Sequence, residues 1–183
     1  MATSVSGIPP ELYLWHSTPM DRIWDIGQMD GSDVRLRNGG GSGLMDLDVS
    51  APVRSGRLTL ATAKVHLDLT VALDKVKTGN FLTEHAARAF ISGYRAHDLV
   101  YAGSGGLSAA TSSISGRAKA GTLDVEIELT LKPVDEDWDA MSEVEIVGSA
   151  AFGKVTIPIP GVGTVDDLVV DIDAKLKVSA QKS

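Results

Sequence analysis

The chain contains no cysteine, which excludes disulfides, thiolate metal sites and cysteine nucleophiles together. No apolar run approaches the ~20 residues that a membrane-crossing helix needs. The start, Met-Ala-Thr-Ser-Val-Ser-Gly-Ile-Pro-Pro-Glu, lacks the basic stretch and apolar core of a secretory leader, so a cytoplasmic protein without a transmembrane segment is expected, a trimmed exported form staying open. Positive charge is also short. Lys and Arg number 17 against 24 Asp and Glu, a formal net charge of -7, and such a balance opposes the phosphate-binding surface that nucleic acid demands. Aromatics are few, with three Phe, three Tyr and three Trp in 183 residues. An interior with so few rings is filled by aliphatic groups or is left partly unfilled.

Catalytic signatures are missing as well. The four histidines, at positions 16, 66, 85 and 97, form no His-x-x-x-His pair or other ligand spacing. The Gly-x-Ser-x-Gly elbow of serine hydrolases does not occur. His66 alternates onto the polar face of its segment, and His97 reads as a turn residue. That leaves His85, beside Glu84, as the one acid or base candidate. The run Asp135-Glu136-Asp137-Trp138-Asp139 lacks the alternation and glycine of a calcium loop and reads as a solvated turn. Asp171 and Asp173 share a face with Lys175 and Lys177, an exposed strand surface rather than a catalytic carboxylate pair. No catalytic residue, cofactor or metal site is therefore expected.

What the chain does have is alternation. Val65, Leu67, Leu69, Val71 and Leu73 interleave with Lys64, His66, Asp68, Thr70 and Asp74, the period of two that marks a strand with one wet face. The rhythm returns in Leu123, Val125, Ile127, Leu129 and Leu131, and again from Leu168 through Val170, Ile172, Ala174 and Leu176 to Val178. Shorter strands are predicted at 34–37, 45–49, 98–102, 114–118, 143–147 and 155–159, separated by Gly-rich or acidic turns. Gly39 to Gly43 reads as a loop, since no Walker lysine follows. Antiparallel strands of this kind form a meander, and a meander removes its exposed edges by closing into a barrel. A sandwich is the competitor. Strands of ten or more residues at 64–74, 122–132 and 167–178 suit tilted staves better than a sandwich's usual ~5–6 residues. Residues 32–179 are expected to form one all-β antiparallel barrel. Residues 1–31 are read as an N-terminal extension, partly irregular or helical, any helix beginning after Pro9 and Pro10 and being interrupted by Pro19.

One segment changes period. Asn80 can cap a helix; Leu82, Ala86, Ala89 and Phe90 then share a face, and Gly93 supplies the stop. A helix over about 80–92 among strands can plug the end of a barrel, either as a purely structural element or as the roof of a cavity.

At these residues the chain resembles the YceI-like polyisoprenoid-binding family. Lys77-Thr78-Gly79-Asn80 ends a long alternating strand and is followed by Glu84, His85, Arg88 and Phe90-Ile91, with Leu99 and Tyr101 on the next strand. Further likenesses are Ser115 to Thr122, Phe152-Gly153, Gly161-Val162-Gly163 and the closing alternation, so the similarity spans roughly residues 54–178. The chain departs from the family at Thr83 to Ala87, where the histidine is displaced, and at Ser149 and Ala151, where the family carries an Arg and an Asp.

The resemblance implies a lipocalin-like barrel with one short capping helix, holding an isoprenoid or other lipid without covalent chemistry. On that reading Val65, Leu67, Leu69, Val71, Leu73, Leu99, Tyr101, Leu123, Val125, Ile127, Leu129, Phe90, Ile91 and Phe152 are the apolar wall. Asn80, His85 and Arg88 are the candidates for a polar head at the mouth. Partners are then the apolar small molecule and, as an open option, a second copy in a homodimer. Two rivals stand beside this reading: a small-barrel cyclase or isomerase using His85, and a filled barrel serving as a protein-interaction module.

Overall fold

Local alternation forms strands where neighbouring strands can satisfy the backbone, and here they close on themselves. A computed structural model describes residues 21–27, 32–38, 48–79, 81–153, 155–156, 164–165 and 168–181. In chain order the elements are β1 (Arg22–Ile26), β2 (Asp33–Asn38), β3 (Asp48–Ala61), β4 (Lys64–Ala72), β5 (Lys77–Thr78), α1 (Phe81–Gly93), β6 (Asp98–Gly106) and β7 (Ser112–Ala120). They continue with β8 (Leu123–Pro133), β9 (Glu143–Phe152), β10 (Val155–Thr156), β11 (Thr164–Val165), β12 (Leu168–Lys177) and β13 (Ser179–Ala180). The circuit β3, β2, β12, β9, β8, β7, β6, β4 and back to β3 is a closed eight-stranded antiparallel barrel. β10 and β11 pair as a separate two-stranded ribbon.

The first stave is assembled from two pieces. β2 pairs with the opening half of β3, Asp33 to Arg37 against Pro52 to Asp48, and β1 takes the same edge further on, Arg22 to Ile26 against Leu60 to Gly56. β13 extends β12 past β1 in the same way. Within the stretch before residue 32, Arg22–Ile26 is a strand. Trp24 and Ile26 point inward and are buried, while Arg22 is exposed. Only the long β3 supplies the edge that so short a strand requires. β3 also absorbs Pro52, beside a register shift at Val53 to Ser55 that accommodates a residue without a backbone donor. Residues 1–20, with Pro9 and Pro10, lie outside the described residues, as do 39–47 and 157–163.

The inward positions of the long strands are those that alternation picks out: Val65, Leu67, Leu69 and Val71 are buried, and so are Ile127, Leu129 and Leu131. At one end, here the far end, the centre is solid. Ile26, Leu58, Val65, Leu67, Ile114, Leu131, Val144 and Leu176 are each at most 1% exposed. Trp138 and Met141, in the β8–β9 connection, close that end, the Trp138 indole N–H donating to the Ser108 carbonyl at 2.9 Å. Within the acidic run around Trp138 the carboxylates stay outside. The Ser142 amide and hydroxyl donate to Asp135 and hold its carboxyl below the usual range.

α1 lies over the opposite end. It touches β3 and β5 on one side. At its other limit the Tyr94 carbonyl accepts a hydrogen bond from Thr122 N–H, 3.1 Å away in the β7–β8 turn. Gly121 in that turn has φ +59, and a Cβ there would collide with the Tyr94 carbonyl oxygen. Glycine is therefore required both by conformation and by the closeness of the helix end.

Candidate functional site

Beneath α1 the barrel is not filled. A cavity of about 90 Å³ lies in the helix-end half, and no polar atom contributes surface to its wall. The wall draws on all eight strands of the circuit: Val34 and Leu36 of β2, Val49 and Ala51 of β3, Leu69 and Val71 of β4, and Leu99 and Tyr101 of β6. On the other side stand Ala118 of β7, Ile127 and Leu129 of β8, Ile146, Ala150 and Phe152 of β9, and Val170, Ile172 and Ala174 of β12. Leu73 and Val76, after β4, complete it. The reason for the void is local. Four wall positions are alanine, at 51, 118, 150 and 174, and a methyl group leaves space that a leucine would occupy.

Among the described residues Tyr101 is the one wall residue with a polar side-chain group. Its hydroxyl is buried and has no hydrogen-bond partner among the described residues. The ring lies against Gly103 and Gly116, which face each other across β6 and β7. A Cβ on Gly103 would collide with the hydroxyl, and one on Gly116 would sit 2.7 Å from it. The two glycines thus make the recess that receives the phenol, and the ring forms the floor between void and solid core. Burial pushes the Tyr101 pKa up to about 12, because the phenolate would lose its hydration.

Sequence reasoning names eight of these wall residues: Leu69, Val71, Leu73, Leu99, Tyr101, Ile127, Leu129 and Phe152. Val65 and Leu67 belong to the solid half instead. Leu123 and Val125 are half-buried, Val125 packing against the core, and both border a groove of about 420 Å³ at the barrel wall, together with Tyr94, Arg117, Asp124, Glu126, Ala151, Phe152 and Gly153. Ile91 is half-buried on α1, while His85 and Arg88 are exposed, Arg88 pairing with Glu84 one helical turn away. Asn80 and the side chain of Phe90 lie outside the described residues. The wall residues on β2, β3, β7 and β12, and Ile146 and Ala150 of β9, were not named from sequence. For Val170, Ile172 and Ala174 the alternation was visible, and an assignment of faces from closure would have included them.

Polar chemistry lies on the outer surface. A groove of about 450 Å³ crosses β2, β3, β5 and β12, where Arg35, Lys77 and Lys175 face Asp33, Asp48 and Asp173. The Arg35 guanidinium grips Asp48 in a two-point pair, with Nε to Oδ1 at 2.6 Å, and this holds the Asp48 carboxyl below its usual range. Equal numbers of opposite charges leave no net field for an ionic ligand. His66 is half-exposed on the outside of β4, its Nε2 3.1 Å from Asp68. Among the described residues no cluster of His, Asp and Glu is arranged to hold a metal ion, and no helix is long and apolar enough to cross a membrane.

Compared with known proteins, the chain matches no family model and no curated protein.

Proposed function

We propose that the protein binds the chain of an apolar small molecule, an isoprenoid or other lipid, in the helix-end half of its barrel, and does no covalent chemistry on it. The observation that carries this reading is the void itself, whose wall is wholly apolar. Each methylene moved from water into such a space contributes ~0.8 kcal/mol, so a hydrocarbon chain binds without a polar anchor. The resemblance of residues 75–101 to polyisoprenoid-binding proteins supports the same class of ligand. The size of the void narrows it. About 90 Å³ exceeds the ~10–15 Å³ needed by one water but falls below the ~300–1,000 Å³ of pockets that engulf a drug-sized molecule. It therefore suits a slender chain end rather than a bulky ring system. A catalytic reading is less well supported, because among the described residues Tyr101 is the sole titratable side chain on the wall and holds its proton to about pH 12.

The test is direct titration with a slender apolar fluorophore such as diphenylhexatriene, with solvent extraction and mass spectrometry of the freshly purified protein. The native chain is expected to take up the probe. Ala150→Leu, which fills the void from its wall, is expected to lose at least ~10-fold in affinity, the equivalent of ~1.4 kcal/mol, while keeping its fold by circular dichroism. Failure of the native chain to bind, or equal binding by the filled variant, ends the proposal.

A further inference from the structure

The barrel wall has a seam. β8 and β9 pair from Pro133↔Val144 to Glu128↔Ser149, and there the ladder stops. Beyond it β8 continues as far as Leu123 on the edge of β7, and β9 continues to Phe152 on the edge of β12, without pairing to each other. Had the register continued, Val125 would lie opposite Phe152 and Glu126 opposite Ala151. Elsewhere at the helix end the ladders run on, β4 to β6 as far as Ala72↔Asp98, and β7 to β8 through Ala120↔Leu123. Among the described strands β8 and β9 thus part over three register positions, beside the void.

The parting is occupied by the outer groove. Phe152 borders both spaces, forming part of the void's wall and part of the groove's lining. The groove is apolar along its inner side, at Leu123 and Val125, and charged along its rim, where Arg117 meets Asp124 at 2.9 Å and Glu126 at 3.6 Å. The void alone is too small to enclose a long chain, and the unpaired strand edges leave a route outward at the height of the void.

From this we infer that the seam between β8 and β9 is the route by which ligand reaches the void, with Phe152 as its gate, and that the part of the ligand the void cannot hold emerges into the groove. This rests on the binding function proposed above and deepens it. The ligand is a single-chain amphiphile whose chain end lies beneath α1 and whose polar end meets the rim. Among the described residues of the rim two carboxylates face one guanidinium, so an uncharged polar end is accepted and an anionic one is repelled.

The chain's lack of cysteine makes the test clean. Glu126→Cys with Ala151→Cys places one thiol on each side of the seam, for cross-linking by a short bis-maleimide. Ser104→Cys with Ser115→Cys, paired across the intact β6–β7 ladder, is the control. In stopped flow with diphenylhexatriene, the seam cross-link is expected to slow uptake at least ~10-fold against the same variant unlinked, and the control cross-link to leave the rate unchanged. Phe152→Ala is expected to speed both uptake and release, as removal of a gate does. In competition, a long-chain alcohol is expected to displace the probe better than the carboxylate of equal length. Uptake at full rate through the cross-linked seam, with no change in Phe152→Ala, would overturn the route and leave the binding function standing. Stronger displacement by the carboxylate would overturn the assignment of the rim. A native chain that binds no probe at all removes the function on which both rest.

Discussion

The far half and the helix-end half of the barrel share strands and an aliphatic vocabulary, yet one is solid and the other hollow. β4 crosses both, with Val65 and Leu67 fully buried in the solid part while Leu69 and Val71 border the void. The difference lies in what faces them. The far half receives the bulk of Trp24, Trp138 and Met141, whereas the helix-end half is faced by four alanines. A core is thus filled or emptied by residue volume at a handful of inward positions, with no change in alternation. One half carries the stability needed to keep the other open.

That contrast predicts unequal responses to the same truncation. Leu67→Ala in the solid half is expected to cost ~3–5 kcal/mol by urea unfolding, since it opens a cavity among fixed neighbours. Leu129→Ala on the void's wall is expected to cost ~2–3 kcal/mol, because its side chain already lacks contacts on one side. Equal losses would mean that the two halves are packed alike.

Tyr101 sits on the boundary between them, and its ionisation reports on it. The folded protein holds the phenol's proton to about 12, whereas an unfolded tyrosine releases it near ~10. The stability tied to this difference is complete below pH ~10 and is lost as the pH rises toward ~12, for a total of ~3 kcal/mol. Tyr101→Phe is expected to flatten that alkaline decline in urea midpoints. It also removes a buried, unpartnered hydroxyl, so the variant is expected to gain ~1 kcal/mol at neutral pH. An unchanged alkaline profile would show that the phenol reaches water.

Additions of volume give the smallest effects and the sharpest difference in sign. Gly116→Ala, pressed against Tyr101 and the backbone of β6, is expected to destabilise by ~1–3 kcal/mol. Ala174→Val, which grows into the void, is expected to stabilise by up to ~1 kcal/mol. A thermal melt of each checks the sign, and destabilisation by both would mean that the void is not free space.

Much of this architecture is legible in the chain. β4, β8 and β12 can be read because a period of two is a local property that twelve or fewer residues display. α1 can be read because its period differs, but its end is made by Arg95 at φ 54, with Ala96 N–H donating to the Ile91 carbonyl, and not by Gly93, which lies within the helix. β1 could not be read in this way: five residues carry little pattern, and their strand state depends on an edge of β3 that lies thirty residues downstream. Pro52 is tolerated inside β3 beside the irregularity that the β3–β4 pairing provides, and that irregularity is not a local property either. Leu69, Val71, Leu73, Ile127 and Leu129 of the candidate site follow from facing direction, whereas Leu99, Tyr101 and Phe152 rest on the family resemblance. Val65 and Leu67 have the same facing direction and do not border the void, because depth along the barrel axis leaves no mark on alternation.

Composition and periodicity were enough to establish an antiparallel barrel, its inward faces and the position of its helix, since each of these is decided by neighbours within a few residues. Where the barrel is hollow, where its strands part, and which side chain stands between void and groove were settled by closure of the circuit. Closure brings together Ala51, Ala118, Ala150 and Ala174 from four separate strands, and sends β8 and β9 to different partners. Cavities and seams are sums over residues distant in the chain, and no stretch of sequence contains the sum.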